Sequence, residues 1–116
     1  MAKFEYELDE HVAVVTMNSG ENRFNFSFFE AFSEILDKVE NDTDALVLVV
    51  RSSHEKIWSN GIDLDWLGPA IAEEGPELRD KFLVEMFTFL KRLLTYPMLT
   101  IAAINGHAFA GGAFLS

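Results

Sequence analysis

Two stretches of this chain set glycine-bearing backbone directly after an apolar run: Trp58-Ser59-Asn60-Gly61-Ile62-Asp63-Leu64 and Asn105-Gly106-His107-Ala108-Phe109-Ala110-Gly111-Gly112. Turns of this kind can present main-chain N–H groups, because small residues let a ligand carbonyl approach the backbone. A helix starting just beyond adds partial positive charge that favours an oxyanion. Two such donors converging on one point suit a thioester enolate. Either turn taken singly is ordinary turn chemistry.

The side chains around these turns have plainer readings. His107 adjoins the second turn and invites a catalytic role, yet a histidine beside a glycine turn is more often a hydrogen-bonded structural residue. His11 and His54 stand far from it without ligand spacing, so a metal site has no support. Asp63 reads as the cap of a short following helix rather than as a general base. Glu73, Glu74 and Glu77 flank Pro76 and suit the positive end of a helix. Trp58 and Trp66 bracket the first turn and read as core before they read as walls of an acyl pocket.

The elements that must position these turns follow from periodicity. Phe4, Tyr6 and Leu8 alternate with charge, and Val12 to Met17 follow after Asp9-Glu10-His11, which predicts a β-hairpin. Phe28, Phe29, Phe32, Ile35, Leu36 and Val39 recur at helical spacing, with Ser27 and Glu30 in the form of a capping box. Ala45 to Val50 is a continuous aliphatic run, as expected of a central parallel strand covered on both faces. The stretch from Asp65 to Gly75 reads as a flexible loop. Pro76 stands at a first helical position, and Leu78, Phe82, Leu83, Met86, Leu90 and Leu93 form the next apolar face, which Pro97 ends. Leu99 to Ile104 reads as a second buried strand. The alternation predicts an α/β layer structure. Gly111 to Ser116 reads as the opening of a further helix, too brief to be stable alone, so the chain is expected to continue or to lean on another surface.

Composition narrows the classes. In 116 residues nearly half are apolar, which rules out a disordered tail, and the formal charge of −10 repels phosphate backbones and anionic membranes. Nucleic acid and membrane are therefore not expected partners. Without cysteine there is neither a disulfide framework nor a thiolate metal site. No secretory leader and no apolar stretch of roughly 18 residues is present, so a soluble protein of the cell interior, cytoplasmic or peroxisomal if eukaryotic, is expected. An anionic ligand would need locally placed cations, for which Arg23, Arg51 and Lys56 are candidates.

Taken in order, the two glycine segments resemble those of the crotonase family, the enoyl-CoA hydratases and isomerases. Ser59-Asn60-Gly61-Ile62-Asp63-Leu64 is similar to the family's F-S-x-G-x-D-L segment, and Ile101 to Gly112 to its I-A-A-I-N-G-x-A-x-G-G-G segment. Arg23-Phe24-Asn25-Phe26 stands more loosely at the place of the N-A-L stretch that helps hold coenzyme A. The resemblance implies an α/β, crotonase-like (ClpP/crotonase) ββα-spiral, incomplete in this chain, with residues 1–116 as the N-terminal part of a single domain. It implies an oxyanion hole made by the backbone N–H groups of Ile62 and Gly111. Arg23, Phe24, Ser59, Asn60, Gly61, Asp63, Leu64 and Gly112 are the implied substrate-binding residues. No cofactor or metal is implied, because coenzyme A arrives as part of the substrate.

Two departures refine the expectation. Ala110 replaces the first glycine of the family's triplet. Phe114 stands where the hydratases carry a glutamate, and a phenyl ring cannot move a proton. The resemblance is therefore strongest to peroxisomal-type Δ3-Δ2 enoyl-CoA isomerases, whose single carboxylate lies further along the chain than position 116. Hydratase activity and a non-catalytic acyl-CoA-binding or assembly subunit are the alternatives, and a serine hydrolase lacks its nucleophile at Ala110-Gly111-Gly112-Ala113. Homo-trimers or hexamers are implied by the family.

Overall fold

The computed structural model describes residues 3–104 and the backbone of 107–108. The chain opens with the antiparallel hairpin of β1 (Lys3–Asp9) and β2 (Val12–Asn18), registered from Lys3 opposite Asn18 to Asp9 opposite Val12. A two-residue strand, β3 (Arg23–Phe24), leads into helix α1 (Phe26–Asp42). Then come β4 (Val47–Ser52), β5 (Ile57–Ser59) and β6 (Gly61–Ile62), helices α2 (Leu64–Glu74) and α3 (Pro76–Leu94), and strands β7 (Leu99–Ala102) and β8 (His107–Ala108).

The main sheet has the order β1-β2-β4-β7, with β2, β4 and β7 mutually parallel. One face is closed by α1. Its Phe28, Phe29, Phe32, Ile35, Leu36 and Val39 meet Ala13, Val15, Met17, Leu48 and Val50 from the strands. A cluster of phenyl rings fills the junction with α3, including Phe32 against Phe89 at 4.9 Å and Phe24 against Phe28 at 5.3 Å between centroids. Each such fully buried ring contributes about 1.5–3 kcal/mol by leaving water. Tyr96, just past α3, donates its hydroxyl to the Leu36 carbonyl at 2.6 Å and ties the end of α3 to α1.

The opposite sheet face is built of two registered apolar rows, Val12–Val47–Leu99 and Val14–Val49–Ile101, edged by Asp9 and Glu7 of β1. Among the described residues, the expected cover on both faces of the central strand is thus found on one. Leu99 and Ile101 are 65% and 45% exposed, so β7 is not the buried strand its composition suggested, and it ends at Ala102 rather than Ile104. Its apolar character serves the row it completes.

Three further expectations are corrected. The stretch from Asp65 to Gly75 is helix α2 up to Glu74, despite Pro69 inside it. Asp63 caps the helix and Leu67 anchors it in the core. Helix α1 is not capped by Ser27, which lies within it. Asn25 does so, its Oδ1 accepting from the Phe28 N–H at 2.8 Å. On α3 the inward face carries Phe82, Met86, Phe89 and Leu90, whereas Leu83 is turned to the outside. Pro76 is at the first turn as expected.

Candidate functional site

The first glycine segment is held as a short parallel ladder. Strand β3 pairs with β6, Arg23 opposite Gly61 and Phe24 opposite Ile62. The Asn60 N–H donates to the Glu21 carbonyl and the Asp63 N–H to the Phe24 carbonyl, both at 3.0 Å. In a strand, alternate residues turn their N–H and C=O toward the same neighbour. Since Asp63 faces β3, the N–H of Ile62 points away from it. Gly61 has φ +74, a conformation in which a Cβ would be strained.

Asp63 spends both carboxylate oxygens on structure. Oδ1 accepts from the Trp66 N–H at 3.2 Å, capping α2, and Oδ2 accepts from the Asn25 amide at 3.1 Å. The capping reading therefore holds. Arg23 donates to Glu21 at 2.7 Å and to Asp65 at 2.9 Å, and its guanidinium charge is thereby balanced by carboxylates rather than left open for an anion. Those two partners hold Arg23 above its ordinary pKa, while the Asn60 side chain and then Arg23 hold Glu21 below the ordinary carboxylate range. Arg51 and Lys56 are exposed.

The other expected binding residues divide by burial. Phe24 and Ser59 are fully buried, so they can serve a ligand only through the backbone they place. Ser59 donates its hydroxyl to the Asn22 carbonyl at 2.7 Å and accepts from the Gly61 N–H at 3.2 Å. Leu64 is 68% exposed. Among the described residues, the buried Asn60 Oδ1 and the indole Nε1 of Trp58, which is core, meet no hydrogen-bond partner. Trp66 is half-buried and packs edge-on against Phe26 at 5.1 Å. His54 accepts at Nδ1 from the N–H groups of Lys56 and Ile57, both at 3.1 Å, and shapes the turn before β5.

The second segment is reached through one contact. Strand β8 pairs in parallel with β5, Ile57 opposite His107 and Ser59 opposite Ala108. Gly111, Gly112, Ala110 and Phe114 lie outside the described residues. A cavity of about 320 Å3 sits against β7, lined by Phe32, Trp58, Tyr96 and Ile101 among others. Another of about 630 Å3 lies between α1 and α3. Neither is lined by the Ile62 turn. No helix among the described residues is long and apolar enough to cross a membrane.

Sequence reading did not single out Asn22 and Ser52. Both are buried polar residues wired to the Gly61 turn. Asn22 has φ +53, and asparagine within a polar turn is the one local sign of that conformation. Its burial has no local sign.

Comparison with known proteins identifies the family and the fold. A family model described as enoyl-CoA hydratase/isomerase matches residues 7–116. The chain is 34% identical to the peroxisomal enoyl-CoA delta isomerase 2 of Arabidopsis thaliana, over 84% of this chain and 41% of that protein. It is 29% identical to the short-chain-enoyl-CoA hydratase of Clostridium acetobutylicum, over 91% of this chain and 40% of that one. An apo structure of an enoyl-CoA isomerase from Mycobacterium tuberculosis superposes with a TM-score of 0.79 at 30% identity, covering 97% of this chain and 46% of that one. The chain thus spans about two fifths of the length of the curated relatives it matches.

Proposed function

Because the chain belongs to the enoyl-CoA hydratase/isomerase family, the crotonases, we propose that the backbone N–H groups of Ile62 and Gly111 receive the thioester oxygen of an acyl-CoA. The observation that carries this reading is the parallel pairing of β5 with β8. Ser59 stands opposite Ala108 there, past a register shift after Ile57, and in sequence Ile62 and Gly111 each stand three residues beyond that pair. The strands that precede the two turns thus run side by side in the same direction up to that pair. The Ile62 N–H turns away from β3, as a donor to a ligand must. Two donors aimed at a developing oxyanion are worth about 3 kcal/mol each in such sites, roughly a hundredfold in rate.

The reaction we assign is Δ3-Δ2 isomerisation of an enoyl-CoA. A base removes a proton from C2, and the C–H electrons pass into the thioester as an enolate held by the two N–H groups. Reprotonation at C4 then moves the double bond into conjugation. Phe114 supports isomerisation over hydration, since it offers no carboxylate at the position where hydratases hold one. Asp63 is committed to Asn25 and Trp66, so it is not assigned the proton transfer. Coenzyme A is part of the substrate, and no metal or other cofactor enters the scheme. We propose assembly as a homo-trimer or a pair of trimers, which light scattering of the protein that contains this chain checks directly.

The relative from Clostridium acetobutylicum supports a second reading, hydration of a 2-enoyl-CoA. The two separate in one assay. Supplied with a 3-enoyl-CoA, the protein should produce the conjugated 2-enoyl-CoA, seen by its ultraviolet absorbance, and should consume supplied 2-enoyl-CoA far more slowly. Rapid loss of the conjugated thioester with no conversion of the 3-enoyl isomer would replace isomerase by hydratase. Normal turnover by the Ile62→Pro variant, which lacks that N–H, would remove the oxyanion assignment itself.

A further inference from the structure

We propose that Ser59 and Asn22 are positioning residues that aim the Ile62 N–H through a buried polar relay; this rests on the oxyanion reading above. Asn22 is fully buried and fully satisfied. Its amide donates to the Ser52 hydroxyl and to the Trp58 carbonyl, both at 2.8 Å, and its Oδ1 accepts from the Ser19 N–H at 3.1 Å. Its own N–H donates to the Ser19 carbonyl at 2.9 Å, and its carbonyl accepts the Ser59 hydroxyl at 2.7 Å. Ser52 passes its proton on to the Ile57 carbonyl at 2.9 Å. The Asn22 side chain thus joins the turn before β3, the end of β4 and the middle of β5, whose two ends are held by the Ser52 hydroxyl and the Asn22 carbonyl.

The relay reaches the site at Ser59. Having given its proton to Asn22, the Ser59 hydroxyl can only accept from Gly61, and it does so at 3.2 Å. That bond fixes the peptide between Asn60 and Gly61 at a glycine with φ +74. The peptide between Ile62 and Asp63 is fixed in turn by the bond from the Asp63 N–H to the Phe24 carbonyl at 3.0 Å. The peptide that carries the Ile62 N–H lies between these two. Its direction is set from both sides, and only the Ser59 side depends on a side chain. A satisfied buried network of this kind rigidifies what it holds, and a donor must be rigid to favour the transition state over the ground state. Ser59 touches no substrate, since it is fully buried.

The test uses the protein that contains this chain and two thioesters. Acetoacetyl-CoA, bound as its enolate, probes the donor; butyryl-CoA probes ground-state binding. Ser59→Ala should weaken acetoacetyl-CoA roughly tenfold, a cost of about 1.4 kcal/mol, and leave butyryl-CoA within about twofold, with kcat falling while KM stays. Ser59→Cys, nearly isosteric and a poorer acceptor, should fall between. If Ser59→Ala does not fold, Ser59→Cys decides by the same ratio. Equal loss for both thioesters, or loss for neither, overturns the proposal. Ile62→Pro separates the two ideas. If it too spares acetoacetyl-CoA, the oxyanion reading fails. If it abolishes acetoacetyl-CoA binding while both Ser59 variants bind normally, only the relay fails.

Discussion

At the scale of single residues, the molecule assigns its short polar side chains to backbone groups that would otherwise be stranded. Asn25 is the plainest case, with its Oδ1 on the Phe28 N–H and its amide on Asp63. Asn25→Ala should cost about 1 kcal/mol or somewhat more, read as a lower denaturation midpoint, because a helix cap is lost together with a tertiary bond. Ser27→Ala, inside the helix, should leave the midpoint within about 0.5 kcal/mol. A larger loss at Ser27 than at Asn25 would restore the capping box. Tyr96 offers a second test. Burial, then the nearby Glu40 carboxylate, pushes its phenol up to about 12. The neutral form is favoured by the fold, so the stability it contributes is whole below the unfolded pKa of about 10 and drains away as pH rises toward 12. Tyr96→Phe should flatten that alkaline slope, and an unchanged slope would show that Tyr96 does not supply it.

At the scale of elements, what was legible in the sequence is what repeats locally. The hairpin, α1, β4 and α3 follow from periods of 2 and 3.6, displaced by a residue or two at their ends. A short helix after Asp63 could be read from its cap, but not its extent, because the Leu67 anchor has no local sign and Asp65 to Gly75 reads as loop. Of the site, the turn at Gly61 and the cap at Asp63 could be read. The charge balance around Arg23 and the relay through Asn22 could not, because their partners lie as much as 42 residues apart in sequence. Gly75 is an element-scale hinge worth testing. It ends α2 and begins α3 at φ +91, ψ −179, with nothing within 4 Å of where a Cβ would stand. Gly75→Ala should therefore cost about 1–3 kcal/mol from backbone strain alone. No loss of stability would mean that the two helices meet at a different angle.

At the scale of the whole molecule, the two sheet faces are unequal. The face under α1 is sealed, and Leu48→Ala there should cost about 2–5 kcal/mol. The other face presents two registered apolar rows ending in Leu99 and Ile101 on β7, the edge strand of the main sheet. An exposed apolar edge strand is a template for association, since its unpaired backbone groups and its side chains both seek partners. The acidic row at the other edge and the charge of −10 oppose stacking without removing that drive. For a polypeptide of residues 1–116 studied alone, light scattering should therefore find a mass above the monomer that rises with concentration. Converting Leu99 and Ile101 together to Lys should shift it toward monomer, since Lys on an edge blocks pairing. Because both residues are exposed, at 65% and 45%, the melting midpoint should move by no more than surface substitutions do, about 0.5 kcal/mol each. A wild-type chain that is monomeric throughout, or a double variant that loses its cooperative melt, would mean that this face is already closed from within.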